Sequence, residues 1–456
     1  MKKIVIIGAG PCGVLLAHYL LRRSANYQVE IYDRRDDPRH VEFPTHRSHS
    51  INLGKRGLAA LSAIKGLEPA VRAKGIMSGG RVLHFKNGKT VSMQKRSKRL
   101  SINRNALVIA MLSKLVEIYD ESRLKLHFNC KYVRADFTSQ TVTFQHVHHE
   151  YSTSTQFETA YDVLVGADGV NSAVREQLQL TPGFEMERVR LPWIYKTLTL
   201  RLGEQHNEIR IAPRNAHIWK LSLFSIFTAI PRPDNSFSCG IGFHKNHNPL
   251  LGLSTPHDVL AFFHQQIGSA GQLITLSEAE TFFNKPFSTI SAIRCNRYHQ
   301  GDRVIILGDA AHAISPLIGQ GCNSSLEDVA ILDRLLDEYG DDWAQVLPQF
   351  SYRRQPDADA LFQLSNYTVP ISRRLWIELL LKTCAQSFLH HRFPTLVAPS
   401  LLDSISGTTL PYSTILNRYQ GWVDRVKQSN EYILEAHDVS AHQPLSQTRW
   451  SQGMLS

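Results

Sequence analysis

No CxxC pair occurs in this chain; its six cysteines, Cys12, Cys130, Cys239, Cys295, Cys322 and Cys384, stand far apart. That argues against a disulfide framework or a structural zinc site and points to a reducing, cytoplasmic setting. No stretch approaches the ~18 or more consecutive apolar residues that a bilayer span requires, so no transmembrane segment is expected. The opening Met-Lys-Lys-Ile-Val-Ile-Ile-Gly has too short an apolar run for a signal peptide and reads as a first strand. Internal repeats and low-complexity tracts are lacking too. Acidic residues are missing altogether between Glu68 and Glu117. In that interval Arg72, Lys74, Arg81, Lys86, Lys89, Lys95, Arg96, Lys98, Arg99, Arg104 and Lys114 supply eleven positive charges, as many as the +11 net charge of the whole chain. Such a block is either a solvated face or a rim that attracts an acidic carrier protein or an anionic surface. No RNP-like aromatic run, CCHH spacing or basic heptad accompanies it, and nucleic acid is not an expected partner.

What is present is an ordinary globular composition, 43% hydrophobic and 20% charged over 456 residues, enough for two or three structural units. Residues 3–7, 11–23 and 29–32 read as strand, helix and strand, a βαβ opening. Segments 81–85 and 89–93 flank Asn87-Gly88 and read as a hairpin, because Asn-Gly suits the positive φ of a tight turn. A helix comes next over 105–119, then strands over 142–146 and 161–165. The stretch 193–243 is rich in short β-like runs and implies a second sheet. Strand 303–307 leads through a glycine-rich loop into a helix over about 324–339, and from Trp343 onward the chain reads as helical. Within 375–389 the polar Glu378, Lys382 and Gln386 recur every four residues, which predicts one wet stripe on an otherwise apolar helix packed on the rest of the chain. The tail after about Lys427 is polar and is expected to fray.

Three motifs carry chemistry. Gly8-Ala9-Gly10-Pro11-Cys12-Gly13 lies between a strand and a helix, and Asp33 closes the next strand. Glycines there permit a tight turn and close approach to a pyrophosphate, the helix N-terminus adds unpaired N–H groups, and the acid accepts from ribose hydroxyls. The competing reading, a plain structural turn, is disfavoured by the strand-loop-helix context. The second motif, Gly166-Ala167-Asp168-Gly169 with Ser172 and Arg175 just after it, would alone pass for a strand and a turn. The third, Gly308-Asp309-Ala310-Ala311-His312, precedes Pro316, Gly319, Gln320, Gly321 and Asn323. An aspartate at a strand end can bind a polyol hydroxyl, and a glycine-rich turn brings backbone N–H groups to a ring whose electron density rises on reduction.

Together these residues resemble the single-component FAD-dependent aromatic hydroxylases, the para-hydroxybenzoate hydroxylase-like superfamily, with its GxGxxG, DG and GD motifs. The resemblance spans the chain. It implies an α/β architecture: a Rossmann-like FAD-binding domain, an inserted mixed β-sheet substrate domain and a C-terminal helical region. It also implies FAD, with its ADP half on Gly8, Gly10, Pro11, Cys12, Gly13, Asp33 and Arg34 and its pyrophosphate beside Arg104. Gly308 and Asp309 would hold the ribityl chain, and Pro316, Gly319, Gly321, Cys322 and Asn323 the ring. Asp168 would serve both FAD and NAD(P)H. NADPH or NADH would reduce the flavin, O2 would be captured as a C4a-hydroperoxide, and a small aromatic substrate would be hydroxylated.

Ser50-Ile51-Asn52-Leu53, Arg81-Val82-Leu83-His84, Leu100-Ser101-Ile102-Asn103-Arg104 and Leu347-Pro348-Gln349-Phe350 resemble the kynurenine 3-monooxygenase branch. This implies a substrate carboxylate bound by Arg81 and Tyr412, since a planar guanidinium pairs bidentately with carboxylate. Departures are equally specific. The branch's second pocket tyrosine falls at Lys98, a pocket asparagine at Thr368, a nearby glutamate at Ile371, and an arginine at His49. The flavin machinery is kept while the pocket is partly rewritten. The expected substrate is an anionic tryptophan- or kynurenine-related aromatic, with Lys98 and Thr368 in its site, or a larger anion tethered to an acidic carrier protein. N-oxygenation, epoxidation or reduction would share the same motifs, and a non-enzymatic basic flavoprotein is the alternative of a different class. No Trp-x-Trp-x-Ile-Pro stretch marks a halogenase. No catalytic base is assigned, His312 being read as structural. The expected organisation is an FAD-binding domain over 1–75, 101–184 and 291–345, a substrate domain over 76–100 and 185–290, a helical region over 346–427 and a polar tail over 428–456.

Overall fold

Ile4, Val5 and Ile6 have no solvent exposure, and the strand that carries them, Lys2–Ile7, lies inside a six-stranded sheet. Across that sheet the order is His299–Gln300, Val304–Ile306, Val163–Gly166, Lys2–Ile7, Tyr27–Tyr32 and Leu124–His127. All neighbours are parallel except His299–Gln300. Near-continuous apolar runs such as Val163-Leu164-Val165 suit a parallel sheet covered on both faces. Helices Pro11–Arg23 and Gly321–Glu338 pack on one another beside it. The structure is a computed structural model and describes residues 1–41, 50–147, 155–202 and 211–437, with side chains of 94–98 excepted.

The second sheet has eight strands: Ser288–Cys295, Met186–Arg201, Ser236–His244, Ser225–Pro231, Ala216–Lys220, Ile76–His84, Thr90–Asn103 and Ser50–Leu53. It is mixed, since Ala216–Lys220 runs parallel to Ile76–His84 while the other pairs are antiparallel. Its core is aromatic: Phe227, Phe237, Phe243 and Phe263 are fully buried in a cluster that includes Val259 and Ile267 of helix Pro256–Ile267. The hairpin predicted around Asn87-Gly88 is much longer than its tip. Its register jumps, with Ser78 opposite Arg99 but Gly80 opposite Gln94, so that residues 95–98 all face Gly79. This is a bulge of four residues against one, and it re-aims the strand from Arg99 onward. A third sheet of three antiparallel strands, Cys130–Asp136, Thr141–His146 and Gln156–Ala160, completes the β structure among the described residues.

Three features differ from the sequence-based expectation. Ser50–Leu53 hydrogen bonds to Thr90–Asn103 in the second sheet, although it falls in the segment 1–75; residues 291–295 likewise continue the strand Ser288–Cys295. Helix Tyr412–Ala436 runs on past Lys427, because Asn430 is buried and its side chain accepts from the Ile371 backbone N–H at 2.9 Å. The helix Arg373–Arg392 keeps its polar stripe at the surface, where Glu378 bonds Arg425 of helix Tyr412–Ala436 at 2.6 Å and Lys382 stays exposed. Its apolar side is only partly covered: Leu379 is buried, but Leu381 is 67% and Phe388 71% exposed.

Candidate active site

Gly8 sits at φ +106°, and a Cβ there would stand 2.5 Å from the Ala167 carbonyl oxygen; one at Gly13 would stand 2.2 Å from the Gly8 carbonyl. Only glycine fits either place. Pro11 opens the helix Pro11–Arg23, whose first N–H groups face the loop. Asp33 is buried, and its Oδ2 accepts from Ala9 N at 2.9 Å. Arg35 engages both oxygens of the same carboxylate, at 3.0 and 2.9 Å. Burial pushes the Asp33 carboxyl up, but hydrogen bonds and charge from Arg35 together with the Ala9 N–H outweigh it and leave the carboxyl below its usual range. A small cleft is lined by Ala9, Gly10, Asp33, Arg35 and Arg104. Arg34 is exposed and lines neither this cleft nor the larger cavity beyond it; its neighbour Arg35, also exposed, lines the cleft instead by reaching back to Asp33.

From Gly10, Pro11 and Cys12 a cavity of ≈ 1430 Å³ extends past Asp309, Pro316, Gly319, Gly321 and Cys322 to the second sheet. Burial pushes the Cys12 and Cys322 thiols up, Cys322 to about 12, so both stay neutral wall groups. Gly308 has φ +61° and a Cβ there would meet Ser325 Oγ at 2.9 Å. Its N–H donates to Asp328 at 2.8 Å. Asn323 is fully buried and braces the loop: Nδ2 donates to the carbonyls of Asn52 and Gly319 at 2.9 and 3.1 Å, and Oδ1 accepts from Gly54 N at 2.7 Å. Asp168 receives the Ala173 N–H at 2.7 Å at the start of helix Ala173–Leu178, while its Oδ1 is buried with no partner among the described residues. Arg175, fully buried, donates to the Ala310 and Val170 carbonyls at 2.9 and 2.8 Å. It thereby ties the DG loop to the GD loop.

At the far end Arg81 and Arg99 both line the cavity. Arg81 was anticipated; Arg99 was not. Counting back from Arg104 points to Lys98, whose side chain lies outside the described residues, as does His49, and such a count cannot see the bulge at 95–98. Thr368 is fully buried and does not line the cavity. It closes helix Trp343–Tyr367, and its carbonyl accepts from Trp422 Nε1 at 3.1 Å. Asn366 lines the wall instead, with its Nδ2 buried and unpartnered among the described residues. Tyr412 is also displaced from its expected place. It is fully buried away from the cavity, its hydroxyl donating to Gln320 Oε1 at 3.0 Å and its ring under the Arg56 guanidinium at 3.9 Å. The second sheet adds Lys220, whose Nζ donates to the Ile371 carbonyl at 2.9 Å and which burial, with the charge of Arg373, pushes down to about 8. His312 does not line the cavity.

This donor set fits FAD. The crowded Gly8 and Gly13 hold the turn tight while the open side of Gly10 leaves room for a pyrophosphate, Asp33 and Arg104 border the ribose end, and Asp309 lines the same cavity as Pro316, Gly319, Gly321 and Cys322, where a flat ring would lie. Residues 1–365 match the family described as FAD binding domain. The kynurenine 3-monooxygenase of Sus scrofa is 30% identical over 430 residues, covering 93% of this chain and 87% of that protein. Its counterpart from Drosophila willistoni is 32% identical over 435 residues, covering 93% and 91%. Among solved structures, the tetrameric form of 2-methyl-3-hydroxypyridine-5-carboxylic acid oxygenase is similar in fold, with TM-score 0.65 at 20% identity over 81% of this chain and 91% of that one. Pseudomonas aeruginosa PqsL in complex with 2-aminobenzoylacetate has TM-score 0.61 at 19% identity, over 80% and 95%.

Proposed function

The chain belongs to the FAD binding domain family and resembles the kynurenine 3-monooxygenases, and on that premise we propose how its residues divide the work of an FAD-dependent aromatic monooxygenase. Such an enzyme consumes NAD(P)H and O2. The observation that carries the reading is the single cavity from the Gly8–Gly13 loop through Asp309 to Arg81. When bound, FAD supplies hydride acceptance and oxygen activation.

The protein binds, orients and keeps water out. Gly10 and Cys12 bring backbone N–H groups to the pyrophosphate, Pro11 sets the first turn of the helix, and Gly8 and Gly13 shape the turn. Asp33 takes the adenosine ribose, and for this Arg35 has to share or leave that carboxylate. Arg104 borders both cavities and neutralises the pyrophosphate. Asp309 takes the ribityl hydroxyls. Pro316, Gly319, Gly321 and Cys322 form the bed of the ring, with Gly308, Asn323 and Asp168 fixing the loops around it. The FAD-binding unit is the six-stranded sheet with its helices, the substrate unit the eight-stranded sheet, and the C-terminal helices close the pocket.

Arg81 holds the carboxylate of an amino-acid-like aromatic related to kynurenine. Three of the eleven cations of the basic block, Arg81, Arg99 and Arg104, line the cavity, while Arg72 and Lys114 pair with Glu68 and Glu117. Part of the positive excess therefore serves a small anion inside. An acidic carrier protein or anionic surface would meet the exposed Lys74, Lys86 and Lys89. Six unpaired cysteines support a cytoplasmic site of action, and no helix among the described residues is long and apolar enough to cross a membrane. The test is NADPH oxidation by the yellow protein with L-kynurenine, with product mass alongside. A substrate-dependent gain of one oxygen is expected. Oxidation that no aromatic anion stimulates would overturn the reading.

A further inference from the structure

Two guanidinium groups reach the substrate end of the cavity, where one would suffice for a single carboxylate. The bulge accounts for the second. Arg81 lies on strand Ile76–His84 opposite Met93, and Arg99 lies on the partner strand opposite Ser78. Because 95–98 loop out against Gly79, Arg99 is brought back to within three positions of Arg81 on the facing strand, and both line the same wall.

Elsewhere in the chain buried or half-buried arginines meet carboxylates: Arg56 with Glu327, Arg294 with Asp359, Arg354 with Asp328. Arg81 and Arg99 have no such pair among the described residues. Arg99 donates from Nη2 to Ser406 Oγ, and its Nε is buried without a partner. Asp403 acts on both only at a distance, its own Oδ2 held by Ser387 and Ser400 at 2.5 and 2.7 Å. Burial, then the charge of Arg81, push the Arg99 guanidinium down to about 9, with Asp403 opposing; burial pushes Arg81 down as well. Two desolvated like charges side by side are costly unless an anion enters between them. One carboxylate neutralises one of the two positive charges and leaves the other uncompensated in a desolvated place.

We propose that the Arg81–Arg99 pair selects an aromatic substrate that presents two anionic charges at this end, as two carboxylates or one phosphate monoester, with Arg99 reading the second charge. This rests on the monooxygenase reading for the word substrate, but its test reads binding alone. The holoprotein is titrated with benzoate, isophthalate and phenyl phosphate, and the perturbation of the bound flavin's absorbance gives each Kd. Isophthalate or phenyl phosphate is expected to bind at least tenfold more tightly than benzoate. Preference for isophthalate identifies two separate carboxylates, and preference for phenyl phosphate a doubly charged group. Arg99→Gln is expected to abolish the preference while leaving benzoate affinity within about twofold, and Arg99→Lys to retain part of it. Equal wild-type affinity for all three ligands, or equal weakening of all three in Arg99→Gln, overturns the proposal. Should Arg99→Gln fail to retain flavin, the wild-type ratios and Arg99→Lys decide. Since no turnover is measured, absence of oxygenation activity would count against the functional reading and leave the binding result standing.

Discussion

Nε2 of His312 lies 2.7 Å from Oδ2 of Asp328, and Oδ1 of the same carboxylate accepts from Arg354 Nε at 2.7 Å. Asp328 has no solvent exposure, and it also receives the Gly308 N–H. One carboxylate thus joins the GD loop, helix Gly321–Glu338 and helix Trp343–Tyr367, which makes His312 a brace of the flavin loop.

Replacing Asp328 by Asn leaves Arg354 short of its shortest counter-charge contact, although Glu327 and Asp357 stay within reach at 3.2 and 3.5 Å. A loss of about 3 kcal/mol is expected, read as a lower urea midpoint. Burial raises the Asp328 carboxyl, but His312, Arg354 and the Gly308 N–H more than offset it and hold the carboxyl below its usual range. Its contribution is therefore complete above the ordinary carboxylate range and is lost as pH falls through the depressed value. The wild type should lose more stability than Asp328→Asn between about pH 4 and pH 2; equal losses would remove Asp328 from the account.

Two histidines, His18 buried and His84 half-buried, set a second acid window. Burial pushes His18 down to about 4 despite its contact with the Met111 carbonyl, and burial together with His217 pushes His84 to about 4. Both must charge on unfolding below their ordinary value near 6.5. Stability is then complete above about pH 6.5 and falls as pH drops toward 4. Urea midpoints at pH 7 and pH 5 check the sign, and a higher midpoint at pH 5 would contradict it.

Adding a methyl group separates two uses of glycine. At Gly10 a Cβ has its nearest neighbour 4.0 Å away, whereas at Gly13 it collides with the Gly8 carbonyl at 2.2 Å. Gly10→Ala should fold and lose flavin affinity by about tenfold or more, through blocked approach to the pyrophosphate. Gly13→Ala should lower thermal stability as well. Flavin-to-protein absorbance ratios and melting curves distinguish these, and a fully yellow Gly10→Ala would refute the assignment.

Arg81→Gln removes a charge-assisted pair to the substrate carboxylate. KM should rise by about 10- to 100-fold, the range for hydrogen bonds to charged groups, with a smaller change in kcat and partial recovery in Arg81→Lys. An unchanged KM would place the carboxylate elsewhere.

Tyr412→Phe provides the contrast. Its hydroxyl reaches Gln320, not the cavity, so stability should drop by about 1 kcal/mol while KM stays within about twofold. A large rise in KM would restore Tyr412 to the substrate site.

The features legible in the sequence are those written locally. The Gly8–Gly13 turn, the helix behind it and the acid at Asp33 lie within one βαβ unit, so sequence spacing equals spatial arrangement there. The GD loop is local in the same sense, bounded by a strand and a helix. Arg99 could not be found that way, because its place depends on how far 95–98 slip against Gly79, a property of two strands. Thr368 and Asn366 exchange roles because a helix ends between them and the chain turns. The partial exposure of the apolar side of Arg373–Arg392 was not legible, because one apolar pattern carries both the buried Leu379 and the exposed Leu381 and Phe388.

The bulge at 95–98 is pinned on both sides. Arg81 pairs with Met93 toward the turn; Ile76 with Ser101 and Ser50 with Asn103 pin the other end, and Asn103 then caps the helix that starts at Arg104. A gain or loss of residues within 95–98 presents a different side chain to the cavity without moving Arg104 or the dinucleotide loop. The segment 95–98 is therefore a place where chain length can change what the cavity meets while the register that sets Arg104 is held from both ends, as a variable insert is held in a constant frame.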